Sequence, residues 1–261
     1  MRAMNIQVFS GNRGIRQLKA SFRKNWIFYL QEALGIAIFM ISACFFSVLF
    51  WGNSESFHFA IANTHLRFLV MGCMMGLTAL FIFYSPLTAP SGSHINPAVT
   101  ITFLRLNKIC RYDAMFYIIA HFIGGTLAVC GIALLLGNAL KNPPVNYAIT
   151  VPGKYGAIPA AITEYIIALV TMMMILFTST NERLKKFTRI FSGCLVCCWV
   201  ILAGPVSGFG MNPARSFASA FSAQVYTAFW IYLLLPLAGM LSAAEIFLFM
   251  KKDKCNELIF F

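Results

Sequence analysis

Six stretches of this chain are apolar for long enough to cross a lipid bilayer, and that constrains its fold more than any other feature. They run Trp26–Trp51, Leu66–Ser85, Ala114–Gly137, Ala160–Thr178, Phe187–Pro205 and Val225–Met250. A spanning helix needs about 20 mostly apolar residues. In hydrocarbon every backbone polar group must be paired internally, which leaves only helices and closed barrels. The runs lack the apolar–polar alternation of barrel strands,. The chain therefore reads as an all-α membrane protein with six transmembrane helices. Only 11% of its 261 residues are charged, against roughly 25% in soluble domains. No stretch of soluble-domain length remains, and the first run is too long for a cleaved signal peptide.

The net charge of +12 would suggest nucleic acid if it were spread over a surface. Its placement points elsewhere. Arg2, Arg13, Arg16, Lys19, Arg23 and Lys24 precede the first run, with no acidic residue among them. Arg105, Lys108 and Arg111 follow the second run, Arg183, Lys185, Lys186 and Arg189 follow the fourth, and Lys251, Lys252 and Lys254 follow the sixth. The alternate connections hold Arg67, Lys141 and Lys154. Basic loops on one side are the positive-inside pattern, so both termini are expected in the cytoplasm and no nucleic-acid partner is expected. This gives a basic N-terminal segment at 1–25, one membrane domain at 26–250 and a cytoplasmic tail at 251–261. The expected location is the plasma membrane or a bacterial inner membrane.

A polar, turn-like motif appears twice in this apolar chain: Ser91-Gly-Ser-His-Ile-Asn-Pro-Ala-Val-Thr100 and Ser207-Gly-Phe-Gly-Met-Asn-Pro-Ala-Arg-Ser216. Each lies between the second and third run of its half, and each half has a glutamate in its first run, Glu32 and Glu164. Three spans per half give the halves opposite orientations, an inverted repeat (about 26–137 and 160–250) of the kind found in transport proteins. Asparagine caps helix N-termini and proline favours the first helical position, so Asn96-Pro97-Ala98 and Asn212-Pro213-Ala214 each read as a helix start. The apolar runs that follow, Val99–Leu104 and Ser216–Phe221, are too short to span. Two re-entrant half-helices entering from opposite faces would meet N-terminus to N-terminus at the midplane. Irregular backbone at that depth must be buried in protein or line a wet cavity.

These residues resemble the major intrinsic protein family, the aquaporins and aquaglyceroporins. The resemblance rests on His94-Ile-Asn-Pro-Ala-Val-Thr100 and Gly210-Met-Asn-Pro-Ala-Arg-Ser-Phe217, with Glu32, Tyr117-Ile-Ile-Ala and Glu164 as further matches. It covers about residues 26–250. It implies six tilted helices, two half-helices and a homotetramer in the lipid bilayer with one pore per subunit. It also implies passive passage of water and small neutral solutes, and no cofactor. Asn96 and Asn212 would turn amide N–H groups into the pore, and the two helix N-termini add positive partial charge that opposes cations and protons. Arg215 matches the family's narrow constriction near the outer mouth. A buried arginine normally faces a wet interior, although one tied to carbonyls is the structural alternative.

By family spacing, the rest of that constriction falls on Gly76, Val200 and Phe209. This set is wide and rather apolar and lacks a histidine donor, so glycerol is the first solute candidate beside water. Ser216 stands where glycerol-conducting members carry aspartate, and a one-turn slip of register would bring Leu80 to the place of Gly76. Urea, metalloid acids and ammonia stay open. Glu32 and Glu164 are expected to accept hydrogen bonds from the irregular backbone before each half-helix, with His94 buttressing its loop. His121 stands where the family often has glutamine, and either a packing role or a pH sensor is open to it. Small residues at Gly124, Gly125, Ala128, Gly239, Ser242 and Ala243 suit close helix contacts.

Six of the eight cysteines lie in the spans, where Cys acts as a small hydrophobe. Cys110 and Cys255 fall in cytoplasmic segments, so no disulfide framework is implied. Cys194, Cys197 and Cys198 have no partner pair to complete a metal site, and no metal is expected. Cys197, one turn before Val200, is a candidate for the pore wall or for helix packing. No metal-binding helix motif, phosphate loop or nucleophile–base motif points to an enzyme. An ion-coupled secondary transporter and a structural membrane protein are the rival functions, and dependence of flux on an ion gradient discriminates the first of them.

Overall fold

The structure is a computed structural model that describes residues 11–52 and 61–257. Nine α-helices are present among the described residues. Six are long and apolar enough to cross a membrane. These are α1 (Gly11–Trp51), α2 (Thr64–Tyr84), α4 (Arg111–Leu136), α6 (Ala157–Thr180), α7 (Thr188–Ser207) and α9 (Phe229–Glu257). Two are the half-helices, α3 (Pro97–Arg105) and α8 (Pro213–Ala223), and one is a short connecting helix, α5 (Asn138–Lys141).

Helix α1 starts well before the apolar run it was expected to match. Residues 11–25 were expected as a cytoplasmic segment, yet they continue the helix without a break. The stretch contains no proline, and the end of α4 anchors it. Asp113 accepts from Tyr29 Oη at 2.5 Å, from Asn25 Nδ2 at 3.0 Å and from Ser21 Oγ. At the other terminus α9 likewise runs on into the expected tail, to Glu257. The remainder of the basic N-terminal segment and residues 258–261 lie outside the described residues.

The helix packing repeats itself between the two halves. α1 packs on α4 as α6 packs on α9, and α1 meets α2 as α6 meets α7. Each half-helix packs on the last long helix of the other half, α3 on α9 and α8 on α4, while α2 packs on α7 and α3 touches α8. Exchanging the halves leaves this pattern unchanged, as an internal two-fold requires. Matching glycines permit two of the close helix approaches. A Cβ at Gly124 of α4 would lie 2.5 Å from the Ala33 carbonyl of α1, and one at Gly239 of α9 would lie 2.4 Å from the Tyr165 carbonyl of α6. Any side chain there would force the backbones apart.

The outer surface of the bundle is apolar, with Leu134 at 84% exposure and Ile158 at 75%. The buried polar groups gather instead around the two motif loops: Glu32, Ser91, Ser93, Asn96, His121, Glu164, Ser207, Asn212 and Arg215. That is the arrangement of a helical membrane protein, with lipid outside and polarity inside.

Candidate functional site

Each motif folds as an irregular loop into a half-helix. Asn96 and Asn212 are the N-caps. The Oδ1 of Asn96 accepts from Ala98 N at 2.9 Å, and that of Asn212 accepts from Ala214 N at 3.0 Å and Arg215 N at 3.3 Å. Pro97 and Pro213 occupy the first helical position, where a missing N–H costs nothing,. Before each cap the backbone turns left-handed repeatedly. In the first loop φ is +95° at Gly92, +49° at Ser93 and +43° at Ile95; in the second it is +77° at Gly208, +52° at Phe209 and +48° at Met211. Such φ values cost a non-glycine residue on the order of 1–3 kcal/mol, most acutely a β-branched residue like Ile95.

Two buried carboxylates hold these strained turns in place. Glu32 Oε1 accepts from Ser91 Oγ at 2.6 Å and His94 N at 3.0 Å, and its Oε2 accepts from Ile95 N at 2.6 Å. Glu164 Oε1 accepts from Ser207 Oγ at 2.6 Å and Gly210 N at 2.8 Å, and its Oε2 accepts from Met211 N at 2.5 Å. Tyr117 and Tyr232 complete the match, each donating its phenol at 2.7 Å to the carbonyl of the motif serine, Ser91 or Ser207. Both carboxylates are fully buried with their oxygens satisfied by converging donors, as buried ionisable groups must be.

The halves differ at two places. His121 Nε2 lies 2.7 Å from Glu32 Oε2, giving the first carboxylate a fourth partner. In the register set by Tyr117/Tyr232 and Gly124/Gly239, the matching residue of α9 is Pro236, which has no donor. His121 is therefore fully buried and engaged on a carboxylate that organises the loop, away from both cavities described below. His94 is the second difference. Its Nδ1 lies 3.0 Å from Thr100 Oγ1, and its ring packs against Phe103 and Tyr117. The matching Gly210 has no space for a side chain, because a Cβ there would lie 2.6 Å from Tyr232 and 3.0 Å from Glu164 Oε2.

The caps also reach across to each other's loop. Asn96 Nδ2 donates to the Met211 carbonyl at 2.9 Å, and Asn212 Nδ2 donates to the Ile95 carbonyl at 2.7 Å. One proton of each amide is thus spent on the partner loop. A primary amide carries two, so one proton per asparagine is left over. The amides were expected to turn into the pore; in the structure they also lock the two loops together.

A cavity lies on each side of this junction. The first, of about 190 Å³, is bordered by both asparagines, by Gly92–Ile95 and Phe209–Met211, and by Val99, Phe103, Thr171 and Val196. Among the described residues no protein donor reaches the carbonyls of Ser93, His94, Phe209 or Gly210. The second cavity, also about 190 Å³, is bordered by Val200, Phe209, Arg215, Met71, Met75 and Ser47. Phe39 and Phe209 border both cavities, so their rings stand where one gives way to the other. The loop between α4 and α6 closes over the second cavity, with Pro144, Val145, Ala148 and Ile149 in its wall. Sequence alone left that placement open.

Of the four constriction residues expected by spacing, Val200, Phe209 and Arg215 meet around the second cavity and Gly76 does not. Gly76 lies in the α2–α7 contact, where a Cβ would come within 2.9 Å of Cys197 Cβ and 3.0 Å of the Gly193 carbonyl. Leu80 packs on Gly193 in the same contact. Helix α2 presents Phe68, Met71 and Met75 to the cavity, the last one position before Gly76. The same one-residue error in helical phase hides Met71, and Ser47 and Phe39 on α1 were also missed because the motif spacing does not reach that helix. Cys197 belongs to the same helix contact, its Sγ 3.9 Å from that of Cys73, and Val196 faces the first cavity in its place. Arg215 is nine-tenths buried, and among the described residues its Nη1 has no protein partner. No described carbonyl accepts from its guanidinium, and the residue borders the second cavity.

Comparison with known proteins agrees with this architecture. The chain is 34% identical over 176 residues to aquaporin NIP1-2 of Arabidopsis thaliana, covering 66% of this chain and 59% of that protein. It is 35% identical over 159 residues to nodulin-26 of Glycine max, covering 60% and 56%, and 37% identical over 158 residues to a probable NIP-type aquaporin of Nicotiana alata, covering 60% and 57%. The match thus spans less than three-fifths of the length of each of these relatives. Among solved structures, the X-ray structure of the aquaglyceroporin from Plasmodium falciparum superposes with a TM-score of 0.71 at 19% identity, over 85% of this chain and 94% of that one, which establishes a shared fold. The model of the major intrinsic protein family matches residues 19–247, and this multi-pass membrane protein belongs to that family.

Proposed function

We propose that the chain is a passive channel for water and small uncharged solutes, with glycerol the first candidate beside water. One observation carries the reading. The paired caps Asn96 and Asn212 border the first of two cavities, and that cavity meets the second at Phe39 and Phe209. A solute would pass Arg215, cross this junction and continue along the free carbonyls of Ser93, His94, Phe209 and Gly210. Each asparagine has one amide proton left to donate, and the two helix N-termini add about half an elementary charge each. A neutral oxygen is stabilised there, whereas a cation or a proton meets a barrier. Arg215 adds a second positive charge on the path.

The bias of basic residues toward alternate connections supports a topology with the Arg215 side outside and both termini in the cytoplasm. The chain would work as a homotetramer with one pore per subunit, as its family implies, in a plasma membrane or bacterial inner membrane. Glu32, Glu164 and the side chain of His94 hold the loops.

Stopped-flow light scattering on proteoliposomes tests the reading, first under an impermeant osmolyte gradient and then under a glycerol gradient. The expected result is fast flux of both, insensitive to proton and sodium gradients. Flux that follows an ion gradient would instead indicate coupled transport. No flux of either solute from well-folded protein would remove the channel reading.

A further inference from the structure

A third cavity, of about 600 Å³, lies behind the first. His94 and Phe103 border both, so two side chains separate this space from the proposed solute path. Its volume falls within the roughly 300–1,000 Å³ of small-molecule sites. It lies by the C-terminal parts of α3, α6 and α9, with Lys108 and Lys251 in its lining, and its walls include Phe247 and Leu248.

Charge and polarity sort the occupants. The carboxylates whose side chains are described are Glu32, Asp113, Glu164, Glu182 and Glu245, and none borders the cavity. Glu245 is taken by Arg105 at 2.7 Å, and Asp113 by the α1 anchor. Both lysines border this space, and among the described side chains neither is paired with an acid. The deep polar groups are already satisfied within the protein: the Tyr117 phenol by the Ser91 carbonyl and His94 Nδ1 by Thr100. The Ser179 and Thr180 hydroxyls are likewise bonded to the Leu176 carbonyl, which leaves the apolar wall of Phe103, Phe247 and Leu248 and the two lysines, with Lys251 Nζ 4.9 Å from the Phe247 ring centre. That combination suits an anionic amphiphile better than a soluble anion, which would leave the apolar wall wet.

We propose that this cavity binds an anionic phospholipid of the inner leaflet, with the headgroup phosphate between Lys108 and Lys251 and an acyl chain against Phe103, Phe247 and Leu248. The proposal rests on the reading that this face is cytoplasmic. It places a lipid one side chain away from the solute path, in contact with the wall that His94 and Phe103 form.

Native mass spectrometry of the full-length protein in detergent tests it, with phosphatidylglycerol and phosphatidylcholine as probes. Phosphatidylglycerol is expected to stay bound where phosphatidylcholine is lost. The double variant Lys108→Ala/Lys251→Ala should weaken its retention on the order of 30-fold, from the usual effect of a basic residue at a lipid surface. Lys185→Ala/Lys186→Ala, on the same face but outside the cavity, should leave retention unchanged. Leu248→Trp, which fills the cavity and keeps both lysines, should also release the lipid. Equal loss in the two lysine pairs would mean diffuse charge attraction and overturn the site. So would undiminished retention in Leu248→Trp, or displacement of the lipid by free glycerol 3-phosphate. Because the assay reads binding and not flux, failure of the channel reading would show separately in the proteoliposomes.

Discussion

Glu32 and His121 meet at 2.7 Å with neither side chain exposed to solvent. The other carboxylate, Glu164, manages with three donors, because α9 carries Pro236 where α4 carries His121. The histidine is therefore an addition to a support that already works without one in the second half. His121→Gln can still donate to Glu32 and should fold with a melting temperature close to that of the parent in detergent. His121→Leu leaves one carboxylate position unfilled, a loss of about 1–3 kcal/mol. Thermal unfolding of both variants separates the outcomes, and equal stability would show that the 2.7 Å contact contributes nothing.

Asn212 has two tasks, and a single substitution separates them. Its Nδ2 donates to the Ile95 carbonyl at 2.7 Å while its Oδ1 caps α8. Asn212→Asp keeps the cap but sets a carboxylate oxygen against that carbonyl. The lost bond costs about 1 kcal/mol, and the added negative charge offsets the positive potential of the two helix N-termini. Cation conductance should rise clearly above the parent in planar bilayers, with water flux reduced. An ion conductance indistinguishable from the parent would count against the assignment of charge exclusion to this junction.

The sequence made the frame legible because the forces that set it are local. Span length reports bilayer thickness, Asn-Pro marks a helix start, and the charge bias of the loops follows the chain. The six long helices and the two half-helices needed nothing more. What escaped depends on helical phase and on contacts between distant segments. Gly76 and Met75 differ by one position, about 100° of rotation, and that rotation decides between a helix contact and a cavity wall. Val196 and Cys197 exchange roles in the same way. The bonds from Asn96 to Met211 and from Asn212 to Ile95 join residues far apart in the chain, so no local pattern announces them. The helical extension of α1 escaped because hydropathy marks where lipid begins and says nothing of where a helix does.

The position of Gly76 gives a direct test of this correction. If Gly76 faced the cavity, Gly76→Trp would narrow the path and leave the protein intact. In the structure a side chain at Gly76 runs into Cys197 and the Gly193 backbone. The substitution should therefore force α2 and α7 apart, at a cost above the 1–3 kcal/mol typical of overpacking. The expected readout is poor recovery of monodisperse protein. Met75→Trp, by contrast, should purify normally and reduce glycerol flux. The reverse pattern would restore Gly76 to the constriction.

Phe39 and Phe209 are the two residues that border both cavities, one from α1 and one from the loop before Asn212. In the proposed channel their rings would set the width of the passage where the two cavities meet, with Arg215 and Val200 in the second cavity. Phe209 holds a left-handed φ of +52°, so a change to glycine would relieve backbone strain as well as remove the ring, and alanine is the cleaner probe. Phe39→Ala leaves every loop bond intact and is cleaner still. Both should raise glycerol permeability relative to water by about tenfold, the scale on which an apolar pocket discriminates by size, and should admit longer polyols that the parent excludes. Stopped-flow traces with glycerol, erythritol and sorbitol give the size series. If neither substitution shifts the cut-off and Val200→Ala does, then the second cavity alone selects by size, and the two phenylalanines are packing.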